Sequence, residues 1–279
     1  MSYLEFSATP GLFDTARNKD KGLELQEQYL AAAPFPNIAI DDFLPAEILE
    51  QCLEEFPSDL DPDSKSFDRS QERFKSSFNP DHLSPKTRSF FYSMNSRPFI
   101  RFLENLTGIK GLIPDPYFLG GGFHEIRQGG HLDVHADFNH HKMMDLERRI
   151  NILIYLNKDW EEEYGGQIEL WDNPMTHCEK SLVPLFNRCV IFNTTSNSNH
   201  GNPKPIDHPN GIPRRSIALY YYTATWTGEK KDHTTIFRTR PGTADETDWK
   251  VRRNAFAQDI LPPIVMRNYL RIARRLGWS

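Results

Sequence analysis

A chain of 279 residues, 38% hydrophobic and 25% charged, can bury a full core without disulfide support. Its formal net charge of −5 carries no overall nucleic-acid signature, so no nucleic-acid partner is expected. Cys52, Cys178 and Cys189 form neither a CxxC pair nor a disulfide framework, and neither a leader pattern nor a membrane-length apolar run is read, so a cytoplasmic protein without a membrane partner is expected.

Residues 21–33 have helical spacing and stop at Pro34. "NIAIDDFL" (37–44) reads as a short strand. Pro45 then opens a helix on which Ile48, Leu49, Cys52, Leu53 and Phe56 share a face. Residues 57–82 are rich in Ser, Asp and Pro and read as a long loop flanking a binding mouth. Helical stretches follow near 84–95 and 97–107. From Leu112 the period shortens. The runs "YFLGGGFHEI", "HLDVHAD", "RRINILIYLN", "GQIELW", "RCVIFNT" and "RRSIALYYYTA" alternate with Gly, Asn, Asp and Pro clusters, which predicts a jelly roll. The expected organisation is a helical region at 1–111 packed on the core, a β core at 112–228 and an extension at 229–279. That extension holds eleven Lys and Arg against six Asp and Glu, a balance of +5, and ends in a basic amphipathic helix.

The stretch "HLDVHADFNHH" (131–141) packs four histidines and two aspartates into eleven positions. Residues two apart on a strand share a face, so His131 with Asp133 and His135 with Asp137 are both candidate pairs. "RQGG" at 127–130 reads as a turn, which puts His135 and Asp137 at the strand's far end and favours them. His140 and His141 fall in the following loop and are read as surface or substrate-loop residues. His124 is read as a strand packing residue.

Two histidines and a carboxylate on one face of an iron form the facial triad of non-haem Fe(II) oxygenases. His200, which follows the strand "RCVIFNT" and a polar turn, is the best third ligand. In the next strand Arg214, Ser216, Ala218 and Tyr220 share one face, and Arg215, Ile217, Leu219 and Tyr221 the other. The small residues on the first face leave room for a ligand, and its arginine can pair with a carboxylate. A shift of one residue would instead turn Arg215 inward; the small residues favour Arg214. Asn151 is either a structural hydrogen-bonding group or a pocket residue.

His135-Ala136-Asp137, His200 and Arg214 together resemble the pattern of the Fe(II)/2-oxoglutarate-dependent dioxygenases, nearest their prolyl hydroxylase-like branch. "YLNKDW" (155–160) with "GGQIEL" (165–170) is similar to a strand pair of that family. The resemblance covers 112–226 well and 37–56 more loosely. It implies a double-stranded β-helix, a cupin-like jelly roll with the N-terminal helices packed on one sheet. It implies Fe(II) on His135, Asp137 and His200, with 2-oxoglutarate and O2 as cosubstrates and ascorbate as a helper reductant. Arg214, Ser216 and Tyr155 would hold the cosubstrate's 5-carboxylate, and Leu153 and Ile168 would line its pocket. Tyr220 stands where the prolyl hydroxylases commonly have tryptophan, and Glu125 where they often have tyrosine. With Arg127 and Asn151 these two form the candidate substrate pocket. The implied reaction hydroxylates an unactivated C–H bond while 2-oxoglutarate becomes succinate and CO2. The substrate expected is a prolyl residue in a peptide or protein. The alternatives are a free amino acid or other metabolite, or a binding module without turnover.

Overall fold

The structure, a computed structural model, describes residues 2–7, 13–18, 20–57, 64–226 and 232–245. The basic helix expected at the end of the chain lies outside the described residues. In chain order the elements are α1 (Lys21–Leu30), β1 (Asn37–Ile40), α2 (Ala46–Glu54), β2 (Lys65–Arg69), β3 (Glu72–Phe78), α3 (Pro85–Met94), α4 (Arg97–Thr107), β4 (Ile113–Pro114), β5 (Gly122–Ala136), β6 (His140–His141), β7 (Leu146–Tyr155), β8 (Ile168–Trp171), β9 (Cys178–Leu182), β10 (Cys189–Asn193), β11 (His200–Asn202), β12 (Arg214–Thr223) and β13 (Ile236–Phe237).

The strands form an antiparallel sheet of order β1-β10-β7-β12-β5-β11-β8-β9. It rolls up as a barrel-like jelly roll, because the alternating side chains of each strand have two different places to go. On β7, Ile150, Ile152 and Ile154 join Ile217, Leu219 and Tyr221 of β12 in one apolar cluster with the helices. α4 contributes Phe99, Phe102, Leu103 and Leu106 to that layer, and α2 contributes Leu49 and Cys52. The intervening residues face inward. Tyr155 packs with Ile168, Leu170, Val190 and Phe192 between the two halves of the roll.

Two expectations are corrected. Residues 65–78 are not loop: β2 and β3 make a hairpin that pairs along β5. The pattern was hidden because "KSFDRSQERFKSSF" carries few apolar residues and faces solvent on β2. Nor does a turn break the chain at 127–130. β5 runs unbroken through it, with Gly129 at φ +75° and shifts of register where β3 and β11 pair with it. Such bulges bend a long strand without ending it.

Candidate metal and cosubstrate site

His135 and His200 lie directly opposite each other on β5 and β11, and Asp137 is the first residue after β5 ends. Their ligand atoms lie within 4.8 Å of one another, making them, among the described residues, a group with metal-binding geometry. His135 Nδ1 donates to the Asp133 carbonyl at 2.8 Å, and His200 Nδ1 donates to the Ser198 carbonyl at 2.9 Å. These bonds fix the tautomers and leave both Nε2 lone pairs facing Asp137, at 3.5 Å from Oδ1 and 3.3 Å from Oδ2. Three electron-rich atoms thus converge with no hydrogen between the neutral rings and the carboxylate. A divalent cation resolves that repulsion, so the donor set fits Fe(II). Burial favours neutral rings: it lowers the pKa of His200 against the opposing pull of Asp137.

Asp137 is held by two groups from β7. Asn151 Nδ2 donates to its Oδ2 at 2.6 Å, and Arg148 Nη2 lies 3.1 Å from the same atom. Arg148 is 1% exposed and also donates to Asn151 Oδ1 through Nε and Nη2. Burial would raise the Asp137 pKa, but the neighbouring Arg148 guanidinium, foremost among the opposing causes, outweighs it and holds the carboxyl well below its usual range. Arg148 was missed in the sequence because strict alternation puts it on the opposite face from Asn151. In the ladder Tyr221 pairs Ile150 while Tyr222 pairs Arg148, so Arg149 is an extra residue. That bulge turns Arg148 inward. The charged run that opens "ERRINILIY" gives no hint of which arginine turns inward.

The cavity beside the triad is lined by His124, Leu153, Ile168, Asn202, Arg214 and Ser216, among others. Arg214 is 4% exposed; its Nε donates to the Gly166 carbonyl at 2.8 Å and its Nη2 to the Tyr155 hydroxyl at 3.3 Å. Neither partner is charged. Burial lowers the Arg214 pKa, offset in part by Tyr155. Gly166, at φ +71°, makes room: a Cβ there would stand 2.8 Å from Arg214 Cδ. A buried guanidinium without a carboxylate partner among the described residues is a place for an anionic ligand. Arg215 points the other way, to Glu125 at 2.8 Å, with its guanidinium over the Phe56 ring.

The candidate substrate residues divide. Asn151 and Tyr220 line the cavity. Glu125 and Arg127 do not: Glu125 pairs with Arg215 on the outer face, and Arg127 is exposed. The odd-numbered positions of this part of β5 face away from His124 and Ile126, which explains both. His131 and Asp133 pair with each other, and His131 donates to the Ser70 carbonyl, apart from the cavity. His141 is not at the surface: it is fully buried beside Asp115 and the Tyr222 ring. His124 lines the cavity and donates to the Gly120 carbonyl. Lys75 of β3 also reaches the cavity, a position no loop reading of 57–82 could supply.

Residues 121–222 match the family model described as the 2OG-Fe(II) oxygenase superfamily. No match was found among curated proteins. Among solved structures, a prolyl hydroxylase from Trichoplax adhaerens, in complex with a hypoxia inducible factor oxygen degradation domain peptide fragment, superposes with a TM-score of 0.54 at 17% identity, covering 74% of this chain and 91% of its own. A prolyl-4-hydroxylase from Pseudomonas putida gives 0.51 at 17% identity over 72% of this chain and 98% of its own. Prolyl 4-hydroxylases from Phytophthora capsici are represented by a structure at 0.52 and 20% identity, over 78% of this chain and 67% of its own. These likenesses establish the shared fold, and no helix among the described residues is long and apolar enough to cross a membrane. The matched segment runs from β5 to β12 and encloses His135, Asp137 and His200, so the β core of this chain matches the 2OG-Fe(II) oxygenase superfamily with a metal-binding triad in place.

Proposed function

We propose that this oxygenase hydroxylates a residue of a polypeptide, with proline as the first candidate, and that Arg214, Tyr155 and Ser216 hold its 2-oxoglutarate. The observation that carries the cosubstrate assignment is the buried Arg214, facing the triad's cavity with only a carbonyl and a phenol as partners. Iron(II) and 2-oxoglutarate, when bound, supply O2 activation coupled to decarboxylation to succinate and CO2. The chain does the rest. The Arg214 fork suits a bidentate carboxylate, and the Tyr155 hydroxyl and Ser216 flank it. Leu153 and Ile168 keep that end of the cavity apolar. Arg148 and Asn151 orient Asp137.

A polypeptide substrate is favoured by the groove that adjoins the triad. It encloses about 700 Å³ between the β2–β3 hairpin, residues 117–121 and residues 233–235. Phe67, Phe78, Tyr117, Phe118 and Phe138 line it, and Phe138 follows Asp137 directly. An aromatic cavity of this size, open at the surface, suits a residue carried on a chain better than an isolated amino acid. The Trichoplax neighbour, solved with a peptide, accords with this reading.

The test is succinate formation from 2-oxoglutarate, followed by NMR with Fe(II) and ascorbate. Native protein should form succinate, faster with prolyl peptides, and His135→Ala should not. Succinate formation that no prolyl peptide stimulates would remove the prolyl assignment. Absence of both succinate formation and metal-dependent 2-oxoglutarate binding would remove the cosubstrate assignment.

A further inference from the structure

The hairpin read from the sequence as loop brings a second cation to the cosubstrate cavity. In the ladders Ile126 of β5 stands opposite Arg214 on one side and opposite Lys75 on the other. Lys75, Ile126 and Arg214 therefore form one cross-strand row, with the two cations two strands, about 10 Å, apart at their Cα atoms. All three line the same cavity. Phe74, at φ +50°, sits at the shift of register between Arg73 and Lys75 and reorients the strand at that point. The Lys75 side chain is 14% exposed.

Its charge is not cancelled. Lys75 Nζ lies 2.9 Å from Glu72 Oε1, but Glu72 Oε2 is taken by Arg69 Nη2, also at 2.9 Å. Two cations share one carboxylate, so the cluster keeps one positive charge. Arg214 adds a second with no carboxylate against it among the described residues. Both Lys75 and Arg214 act on the His124 ring between them, each lowering its pKa, with burial the larger cause. A neighbouring row repeats the pattern: Leu132 stands opposite Glu72 on one side and Asn202 on the other. Asn202 Nδ2 is buried, lines the cavity and has no hydrogen-bond partner among the described residues. An ammonium, an amide donor and a guanidinium thus surround a space otherwise walled by Ile126, Leu132, Leu153 and Ile168.

We propose that Lys75 is a second anion-binding residue of the cosubstrate cavity, holding bound 2-oxoglutarate from the wall opposite Arg214, with Asn202 as a neutral donor and Glu72 as the counter-ion that Lys75 partly leaves when the dianion enters. This rests on the cosubstrate assignment above. The hairpin then does two things at once: it forms a wall of the substrate groove and contributes directly to cosubstrate affinity.

The experiment is calorimetric titration of 2-oxoglutarate into the full chain loaded with Mn(II), a readout that needs no turnover. Lys75→Met leaves Glu72 paired with Arg69 and should fold; thermal unfolding checks that it does. It should bind 2-oxoglutarate about tenfold to a hundredfold more weakly, the usual worth of a charged hydrogen bond, with Mn(II) affinity unchanged. Lys75→Arg should restore most of the affinity. Glu72→Gln should act with the opposite sign and tighten 2-oxoglutarate, which a merely structural role for this cluster would not produce. A folded Lys75→Met protein that binds within twofold of native, while Arg214→Met does not bind, overturns this inference and leaves the cosubstrate assignment standing. A native protein that fails to bind 2-oxoglutarate with metal present overturns both.

Discussion

The Arg148 guanidinium lies 3.1 Å from Asp137 Oδ2 and 3.5 Å from the centroid of the Tyr220 ring, so one buried cation ties the metal-facing carboxylate to β12. Phe138 lies 4.5 Å away on the same cation. Rings of this kind stabilise a desolvated guanidinium, and the guanidinium in turn keeps Asp137 ionised and oriented.

Arg148→Met should therefore weaken Mn(II) binding about tenfold to a hundredfold, as loss of an outer-sphere partner does at metal sites. The apo protein should lose more stability than the metal-loaded one, because the ion replaces the missing positive charge beside Asp137. Metal titration followed by EPR, with thermal unfolding of both forms, checks the pair of outcomes.

Arg214 and Arg215 are neighbours with opposite fates. Arg214→Met should reduce 2-oxoglutarate binding by at least about a hundredfold, since its charge is buried and faces the cavity. Arg215→Met removes a partly buried pair with Glu125 that faces away from the cavity; it should change binding less than about twofold, at a cost of about 1–2 kcal/mol in stability. Equal effects from the two would contradict the observed strand facing.

His124 contributes a pH dependence. Burial, reinforced by Lys75, lowers its pKa from 6.5 to about 3, so the folded protein holds it neutral while the unfolded chain protonates it below about 6.5. The unfolded state then binds the extra proton, and stability falls as the pH drops from about 6.5 towards 3. Between pH 8 and pH 5 this group should cost about 2 kcal/mol. His124→Gln should lack that component. Urea unfolding across the range should show the variant gaining on native protein as the solution is acidified.

Tyr221 links the sheet to the helices: its hydroxyl donates to the Met94 carbonyl at 2.7 Å in a fully buried position. Tyr221→Phe leaves that carbonyl without its donor and should cost about 1–2 kcal/mol. Because the residue faces away from the cavity, 2-oxoglutarate affinity should not change. Denaturant midpoints and cosubstrate titration separate the two readouts.

The sequence by itself determined the cluster of His135, Asp137 and His200 and the inward face of β12. His-x-Asp at a strand end, a later histidine after a buried strand, and alternating small and bulky residues from Arg214 to Tyr221 are local patterns of period two, and period two is legible without a fold. The hydrophobic faces of α2 and α4 are legible for the same reason at helical period. Only the tertiary structure decided the facing of Arg148, Glu125 and Lys75. A one-residue bulge at Arg149 reversed the phase of β7. Bulges along β5 set Glu125 outward and carried His135 inward. The β2–β3 hairpin, nearly without apolar residues, exists because β5 offers it an edge to pair with. Register against a partner strand is a non-local property, and a shift of one residue exchanges the two faces of everything beyond it.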